Sequence, residues 1–161
     1  MSAITIDNEL VHYEVLGRGR PVVLVHGWIG CWRYWVPLMQ QLQAKFRVYA
    51  LDLFGFGDSG RNPARYSVEH QVEMLADFKK VLGLPKAAVV GHGLGAQVAA
   101  EYARRYPGRV PRLLLVSAPL FDTGDLGNRS PAKRKIMQQN AARPAVEGFG
   151  PDAPTILSPS A

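Results

Sequence analysis

Four short apolar runs set the strongest limit on how this chain can fold. They lie within the predicted strands at residues 21–25, 47–52, 87–91 and 113–117, and they are rich in valine, leucine and alanine. A continuous apolar run of this length is typical of a strand that is buried on both faces, as in the middle of a parallel sheet. Helix-like periodicity fills the intervals between the runs. The sequence therefore predicts an α/β fold with a mostly parallel sheet.

The other predicted elements have their own start and stop signals. A turn at residues 7–8, Asp-Asn, lies between two alternating segments and predicts an antiparallel hairpin at the N-terminus. A helix follows the first apolar run, where Pro37 is tolerable only in the first turn. Ser67 can cap a second helix that Gly83 ends, and a third is predicted over residues 94–106. The buried stripe of the second helix is predicted to comprise Val68, Val72, Leu75, Phe78 and Leu82.

The length and composition fit one globular domain. A chain of 161 residues buries roughly 70% of its unfolded surface, and 47% hydrophobic with 20% charged residues is an ordinary globular composition. The periodic pattern fades after the fourth run, and residues 143–161 hold four prolines and two glycines. We predict a partial core domain over residues 1–128, followed over residues 129–161 by a basic segment and a disordered, proline-rich tail.

The net charge of +6 is unevenly distributed along the chain. Residues 1–103 carry ten basic and nine acidic side chains, whereas residues 104–161 carry nine and four. The excess forms clusters near a helix end and around residues 129–135, without the basic stripe and interleaved aromatics of a nucleic-acid site. We interpret it as a solvated basic surface, with a phosphate-binding patch as the alternative, and we predict no nucleic-acid partner.

Several classes of protein are excluded by what the sequence lacks. No apolar run reaches ~18 residues, and the N-terminus has no basic start followed by an apolar stretch, so we expect neither a membrane span nor a signal peptide. The expected compartment is the cytoplasm. Cys31 is the one cysteine, and no metal-ligand spacing surrounds it, so we expect no disulfide, no metal and no cofactor.

The most informative segment is residues 89–95, Val-Val-Gly-His-Gly-Leu-Gly, where a predicted strand enters a predicted helix through a glycine-dense turn. The turn resembles the nucleophile elbow of the α/β-hydrolase family, Gly-x-Ser-x-Gly, with Gly93 at the serine position. Residues 26–28, His-Gly-Trp, are similar to the family's oxyanion-hole motif, and residues 52–59 to its loop after the next strand. The resemblance covers roughly residues 4–120, in order and with matching spacing, and is of the lidded serine esterase or C–C hydrolase type.

The resemblance implies roles for particular positions. Gly93 occupies the position of the catalytic nucleophile, and the backbone N–H groups of Trp28 and Leu94 match the donors that stabilise the oxyanion. The candidate pocket residues around them are His26, Gly27, His92 and Trp32. Both histidines also fit a structural interpretation, in which they pack or bond to the backbone. Asp52 is predicted to fix its loop by accepting backbone hydrogen bonds.

The side-chain chemistry of the family does not transfer to this sequence. Gly93 has neither a hydroxyl nor a carboxylate to attack a carbonyl carbon. The family's triad runs along the chain as nucleophile, acid and histidine, and no histidine follows His92 in the sequence given. We therefore expect the N-terminal portion of a hydrolase, shortened by natural truncation, a frameshift or an artificial boundary, without serine-hydrolase activity.

Three functional hypotheses follow. The first is a protein of hydrolase ancestry that does not hydrolyse esters or related bonds. The second is a non-catalytic module that binds a small apolar ester or carboxylate at the oxyanion pocket, or that interacts with another molecule there. The third is an enzyme with an unusual nucleophile, either Cys31 or a water held by His92. Because residues 113–116 form the last predicted strand, we also expect a homodimer or an aggregate through its free edge.

Overall fold

The computed structural model describes residues 2–119, so the predictions for the basic segment and the tail lie outside the described residues. Strands and helices alternate along this part of the chain. The strands are β1 (Ser2–Ile6), β2 (Glu9–Leu16), β3 (Arg20–Val25), β4 (Phe46–Leu51), β5 (Ala88–His92) and β6 (Leu113–Val116). The α-helices are α1 (Val36–Leu42), α2 (Val68–Val81) and α3 (Leu94–Arg105), and short 3-10 turns cover Trp32–Trp35 and Pro63–Arg65.

The strands form one mixed sheet in the order β1-β2-β4-β3-β5-β6. The β1–β2 and β2–β4 pairs are antiparallel, and the β4–β3, β3–β5 and β5–β6 pairs are parallel. The prediction of a mostly parallel sheet with an N-terminal hairpin is confirmed. Asp7 and Asn8 have φ angles of 48° and 65°, as required at both central positions of the hairpin turn whose twist matches the strands.

The predicted helix signals act as expected. The Ser67 hydroxyl oxygen accepts a hydrogen bond from the backbone N–H of His70 at 3.3 Å, which caps α2. Gly83 follows the same helix with a φ of 66°, a conformation that glycine adopts without strain. Pro37 lies in the first turn of α1, where its missing N–H would have had no helical partner.

Helices cover both faces of the parallel part of the sheet, and the residues of β3 alternate between them. Val23 and Val25 belong to the larger core, which includes residues of α2 and α3. Val22 and Leu24 belong to the smaller core on the opposite face, together with Met39 of α1. This two-sided burial is the physical reason that the central strands are apolar throughout.

Strand β6 differs from the other apolar runs because it is not buried. Leu114 is 56% exposed, and Leu113 and Val116 are exposed as well, which corrects the interpretation of this run as a buried strand. The reason is position, since β6 is the last strand on its side of the described sheet. Pairing of a second copy at this edge stays a prediction. Among residues 2–119, no helix combines the length and the apolar character needed to cross a membrane.

Candidate functional site

Three loops meet at the carboxyl ends of the central parallel strands. His26 follows β3, Asp52 follows β4, and Gly93 follows β5. The chain runs from β3 to β4 on one side and then returns to place β5 on the other side, so the strand order reverses at β3. In open α/β sheets, a crevice forms at such a reversal and is the usual place for a ligand. The predicted elbow and the predicted oxyanion loop are the two walls of this crevice.

The elbow is a sharp strand-to-helix turn centred on Gly93. Its φ and ψ angles are 53° and −117°, a combination that residues with a side chain rarely adopt. The Gly93 N–H donates to the carbonyl oxygen of Val116 at 2.9 Å, and its own carbonyl oxygen accepts from Ala96 N–H at 3.0 Å. These bonds hold the turn between β6 and the first turn of α3.

The three glycines of the elbow have different reasons to be glycine. A Cβ atom on Gly91 would overlap the backbone of Gly95 and Ala96, and a Cβ atom on Gly95 would overlap the carbonyl oxygens at the end of β3. Close packing of α3 on the sheet therefore requires both flanking glycines. A Cβ atom on Gly93 would have one neighbour, the Cα of Gly27 at 3.6 Å, which is an ordinary van der Waals contact. At this position the backbone angle favours glycine, but there is room for a side chain.

The contact with Gly27 shows that the predicted oxyanion loop faces the nucleophile position. The loop turns through a hydrogen bond from Gly30 N–H to the Gly27 carbonyl oxygen at 3.0 Å. Trp28 follows Gly27 in this loop. Leu94 is the first residue of α3, so its N–H has no acceptor within the helix. The oxyanion loop and the first turn of α3 therefore both lie beside the space that a side chain at Gly93 would occupy.

His26 holds the oxyanion loop against the loop after β4. Its ring is fully buried, and its Nε2 accepts a hydrogen bond from Leu53 N–H at 3.0 Å. The tautomer that accepts at Nε2 carries its proton on Nδ1, which donates to the Gly27 carbonyl oxygen at 2.8 Å. Burial lowers the pKa of His26, against smaller opposing effects of the Gly27 bond and the Asp52 charge. The residue is therefore a neutral structural link.

Asp52 fixes the same region from the end of β4, as predicted. Its carboxylate is fully buried and accepts from Trp32 N–H at 2.6 Å and from Asp58 N–H at 3.0 Å. His12 Nδ1 lies 3.0 Å from the Asp52 carboxylate. His12, Asp52 and Asp58 are near enough to share a cation, with possible ligand atoms within 4.8 Å of one another. The oxygens of Asp52 already accept hydrogen bonds, so this network serves the loops.

Several aromatic side chains lie in the loops beside the crevice, and two of them, Trp28 and Tyr34, are exposed. Trp28 is 71% exposed and packs edge-on against Phe56, with ring centroids 5.4 Å apart. Ile29 is 84% exposed at a φ of 59°, which is strained for a β-branched residue. Tyr34 is also exposed, whereas Trp35 is buried in the smaller core. Of these side chains, Trp35 therefore belongs to the core, whereas Trp28 and Tyr34 are open to solvent.

The remaining predicted pocket residues lie on different sides of the loops. His92 stacks on Tyr34 with ring centroids 5.3 Å apart, and a Cβ atom on Gly27 would lie 2.7 Å from its Nδ1. His92 thus packs against the oxyanion loop. The Trp32 ring lies beside His12, at a centroid distance of 5.9 Å, and the Arg33 guanidinium is 4.9 Å from its centroid. Trp32 contributes to the site mainly through its bond to Asp52.

Two polar residues that support the site were not predicted from the sequence. His12 lies in β2 and is buried against Asp52, from which it is separated by 40 residues. Gln71 of α2 is buried, and its amide both accepts from Phe54 N–H at 3.0 Å and donates to the Phe54 carbonyl oxygen at 2.9 Å. The signal for Gln71 was its position, because it lies four residues before Leu75 on the buried face of α2.

Comparison with known proteins adds an independent line of argument. A family model described as alpha/beta hydrolase fold matches residues 20–146. The 2-hydroxy-6-oxo-2,4-heptadienoate hydrolase of Pseudomonas putida is 38% identical over 107 residues, which is 64% of this chain and 39% of the relative. The 1-acylglycerol-3-phosphate O-acyltransferase ABHD5 of Homo sapiens is 41% identical over 100 residues, which is 60% of this chain and 29% of the relative. The chain thus spans less than half the length of these relatives.

Solved structures show the same likeness. An epoxide hydrolase, CorEH, superimposes with a TM-score of 0.75 at 29% identity, over 86% of this chain and 49% of the other. A membrane phospholipase A described as a bacterial virulence factor superimposes with a TM-score of 0.71 at 32% identity, over 73% of this chain and 39% of the other. The matched segment makes up half or less of each of these two solved chains.

Proposed function

This chain belongs to the alpha/beta hydrolase fold family, and from that premise we propose that it keeps the carbonyl-binding part of a hydrolase site without the covalent step. The observation that carries the proposal is Gly93, which lies at the centre of the elbow and has no side chain. Covalent hydrolysis at this position needs a hydroxyl, thiol or carboxylate as nucleophile. Support for the binding part comes from the backbone beside this position, where the Gly27 loop and the start of α3 at Leu94 lie next to Gly93.

The backbone donors around Gly93 favour a ligand with a carbonyl or carboxylate oxygen. N–H groups at the N-terminus of α3 and in the oxyanion loop suit a negatively charged oxygen, because the helix dipole adds to their effect. The exposed apolar side chains of Trp28, Ile29 and Tyr34 border the same crevice and suit an apolar group next to that oxygen. We therefore propose a small apolar ester or carboxylate as the ligand class.

We expect the purified chain to show no hydrolysis of activated short-chain esters above the buffer rate, and no burst of product. Gly93→Ser should leave this result unchanged, because a serine hydroxyl is weakly nucleophilic without an imidazole to take its proton, and no histidine follows the elbow in the sequence given. The variant should also melt at a lower temperature, because serine at this positive φ costs about 1–3 kcal/mol. Stopped-flow absorbance and thermal denaturation measure both effects.

Three results would count against this account of the elbow. Saturable hydrolysis that follows the wild-type protein through purification would show that another group, such as Cys31, acts as nucleophile. Ordinary enzymatic turnover by Gly93→Ser would show that a base reaches the elbow from a second chain or from residues beyond those described. A higher melting temperature for the variant would contradict the conformational role of Gly93.

The binding half of the proposal has its own expected result. Calorimetry with benzoate, a flat apolar carboxylate, should give saturable binding with a sub-millimolar Kd. Benzyl alcohol is the matched control, because it keeps the ring and lacks the carboxylate, and it should bind at least about tenfold more weakly if charge-assisted hydrogen bonds hold the ligand. Equal affinities for the two compounds would mean that the backbone donors do not take part.

A further inference from the structure

A cavity lies near the amino ends of β5 and β6, at the opposite end of these strands from the elbow. Its volume is about 300 Å³, and it is formed by the end of α2, the segment before β5 and the segment before β6. The lining residues are Lys79, Lys80, Gly83, Leu84, Pro85 and Arg109. Half of these residues carry a positive charge and none carries a carboxylate. The function proposed above does not use this cavity.

Lys79 is the unusual member of the lining because it is almost completely buried. Its residue is 2% exposed, and its Nζ donates to the carbonyl oxygen of Arg109 at 3.0 Å. The same ammonium group lies 4.7 Å from the centre of the Tyr102 ring. Among residues 2–119, no carboxylate forms an ion pair with Lys79. Buried ammonium groups in proteins are normally paired with an anion, because an isolated buried charge is costly.

The surroundings of Lys79 raise that cost further. Burial and then the nearby Arg109 charge lower the pKa of Lys79 to about 8, so both effects oppose the protonated form. The groups that face it are Arg109 and Lys80 at the cavity and Tyr102 of α3, which is followed by Tyr106 under the Arg109 guanidinium. Burial raises the pKa of Tyr102, so this tyrosine does not supply a negative charge near neutral pH.

A simpler explanation of these cations is that they neutralise the negative end of the α2 dipole. Lys80 fits it, because it is an exposed lysine in the last turn of α2. Lys79 does not fit it, because its Nζ binds a carbonyl oxygen of the α3–β6 connection and not one of α2. Three cations line this cavity, and one of them, Lys79, is buried without a carboxylate partner within residues 2–119, so the cluster needs a further explanation.

We propose that this cavity binds a tetrahedral oxyanion, either sulfate or a phosphoryl group, with Lys79, Lys80 and Arg109 as its cationic ligands. The anion supplies the negative charge that the buried ammonium group lacks. The Arg109 guanidinium can donate two parallel hydrogen bonds to such an anion, and the lysines act as point charges. The volume is large enough for the anion with bound water, since one water occupies ≈30 Å³.

Calorimetry with sulfate tests the site directly, because sulfate keeps its charge between pH 7 and pH 9. We expect saturable binding at pH 7 that weakens about tenfold by pH 9, as Lys79 loses its proton above a pKa of about 8. Lys79→Met should weaken binding about tenfold or more at pH 7, since a charge-assisted hydrogen bond is lost. The control is Lys86→Met, which makes the same change at an exposed lysine of a neighbouring cavity.

Two further arms keep the test decisive. Arg109→Met removes an exposed side chain of the same site, so its weaker binding reports on the anion even where Lys79→Met unfolds. Inorganic phosphate and phenyl phosphate separate the sources of the ligand: tighter binding of phenyl phosphate identifies a phosphorylated organic molecule, and equal binding identifies the free anion. The proposal is overturned when sulfate and phosphate give no saturable heat at pH 7, when affinity is independent of pH, or when Arg109→Met binds as the wild type does.

Discussion

Replacing Gly95 by alanine is expected to destabilise the fold strongly, whereas the same substitution at Gly93 is expected to be tolerated. A methyl group on Gly95 would overlap the carbonyl oxygens of Val25 and His26, and Val25 is held in the parallel ladder between β3 and its neighbours. Main-chain atoms in a central strand cannot move aside as the end of a flexible side chain can. We expect a cost above about 3 kcal/mol, which is a large fraction of the 5–15 kcal/mol that stabilises a typical domain.

Gly93→Ala is the matched control for this prediction. Its methyl group meets an open space, so the cost is limited to the backbone conformation, about 1–3 kcal/mol. Urea denaturation followed by circular dichroism measures the free energy of unfolding of both variants. If Gly95→Ala were as stable as Gly93→Ala, α3 would have to be free to move away from β3, and the elbow geometry described above would be wrong.

The sequence predicts most of this fold because the relevant signals are local. Each buried strand is a run of adjacent apolar residues, and α2 has its Ser67 cap, its apolar spacing and its terminating Gly83 within one segment. The predicted strand over residues 87–91 is observed as Ala88–His92, and the predicted helix over residues 94–106 as Leu94–Arg105. The exposure of β6 has no local signal in the sequence, because it depends on whether another strand or helix packs beside β6 in the sheet.

The supporting polar network was not predictable, because its partners are distant along the chain. Gln71 has the composition of a surface residue, and its burial makes sense only once the Phe54 backbone, 17 residues away, lies against it. The same holds for Lys79, whose acceptor is 30 residues further along. A polar residue that lies at helical spacing from buried apolar residues can be buried too, and its spacing is the only sign of this in the sequence. A prediction of the buried stripe from apolar residues alone therefore omits Gln71 and Lys79.

The elbow shows a second limit of sequence reasoning. Gly91, Gly93 and Gly95 are the same residue at equal spacing, and the motif distinguishes only the central one as a departure from the family. The structure separates them by cause, since steric overlap excludes a side chain at the outer two positions and backbone strain disfavours one at the centre. That difference determines which position can accept a nucleophile without disturbing the fold.

Removing the Asp52 carboxylate is expected to destabilise the protein almost as strongly as an overlap in the elbow. Asp52→Ala would leave the N–H groups of Trp32 and Asp58 without their acceptor, and it would leave His12 beside an empty space in the core. Breaking a buried charged network from one side costs about 3–5 kcal/mol. The substitution should also loosen the crevice, because Trp32 is tied to Asp52 only four residues after Trp28 in the oxyanion loop.

Asp58→Ala is the matched control, because it removes an exposed carboxylate from the same loop. That carboxylate pairs with Arg33 at 3.5 Å on the surface, so its loss should change the free energy of unfolding by less than about 1 kcal/mol. Asp52→Asn separates charge from shape: its amide keeps one acceptor oxygen, and we expect a smaller loss than for Asp52→Ala but weaker benzoate binding than in the wild type. The buried Asp52 carboxylate accepts two backbone hydrogen bonds, whereas the Asp58 carboxylate forms one ion pair on the surface. Equal unfolding free energies for Asp52→Ala and Asp58→Ala would therefore contradict the role of the buried carboxylate.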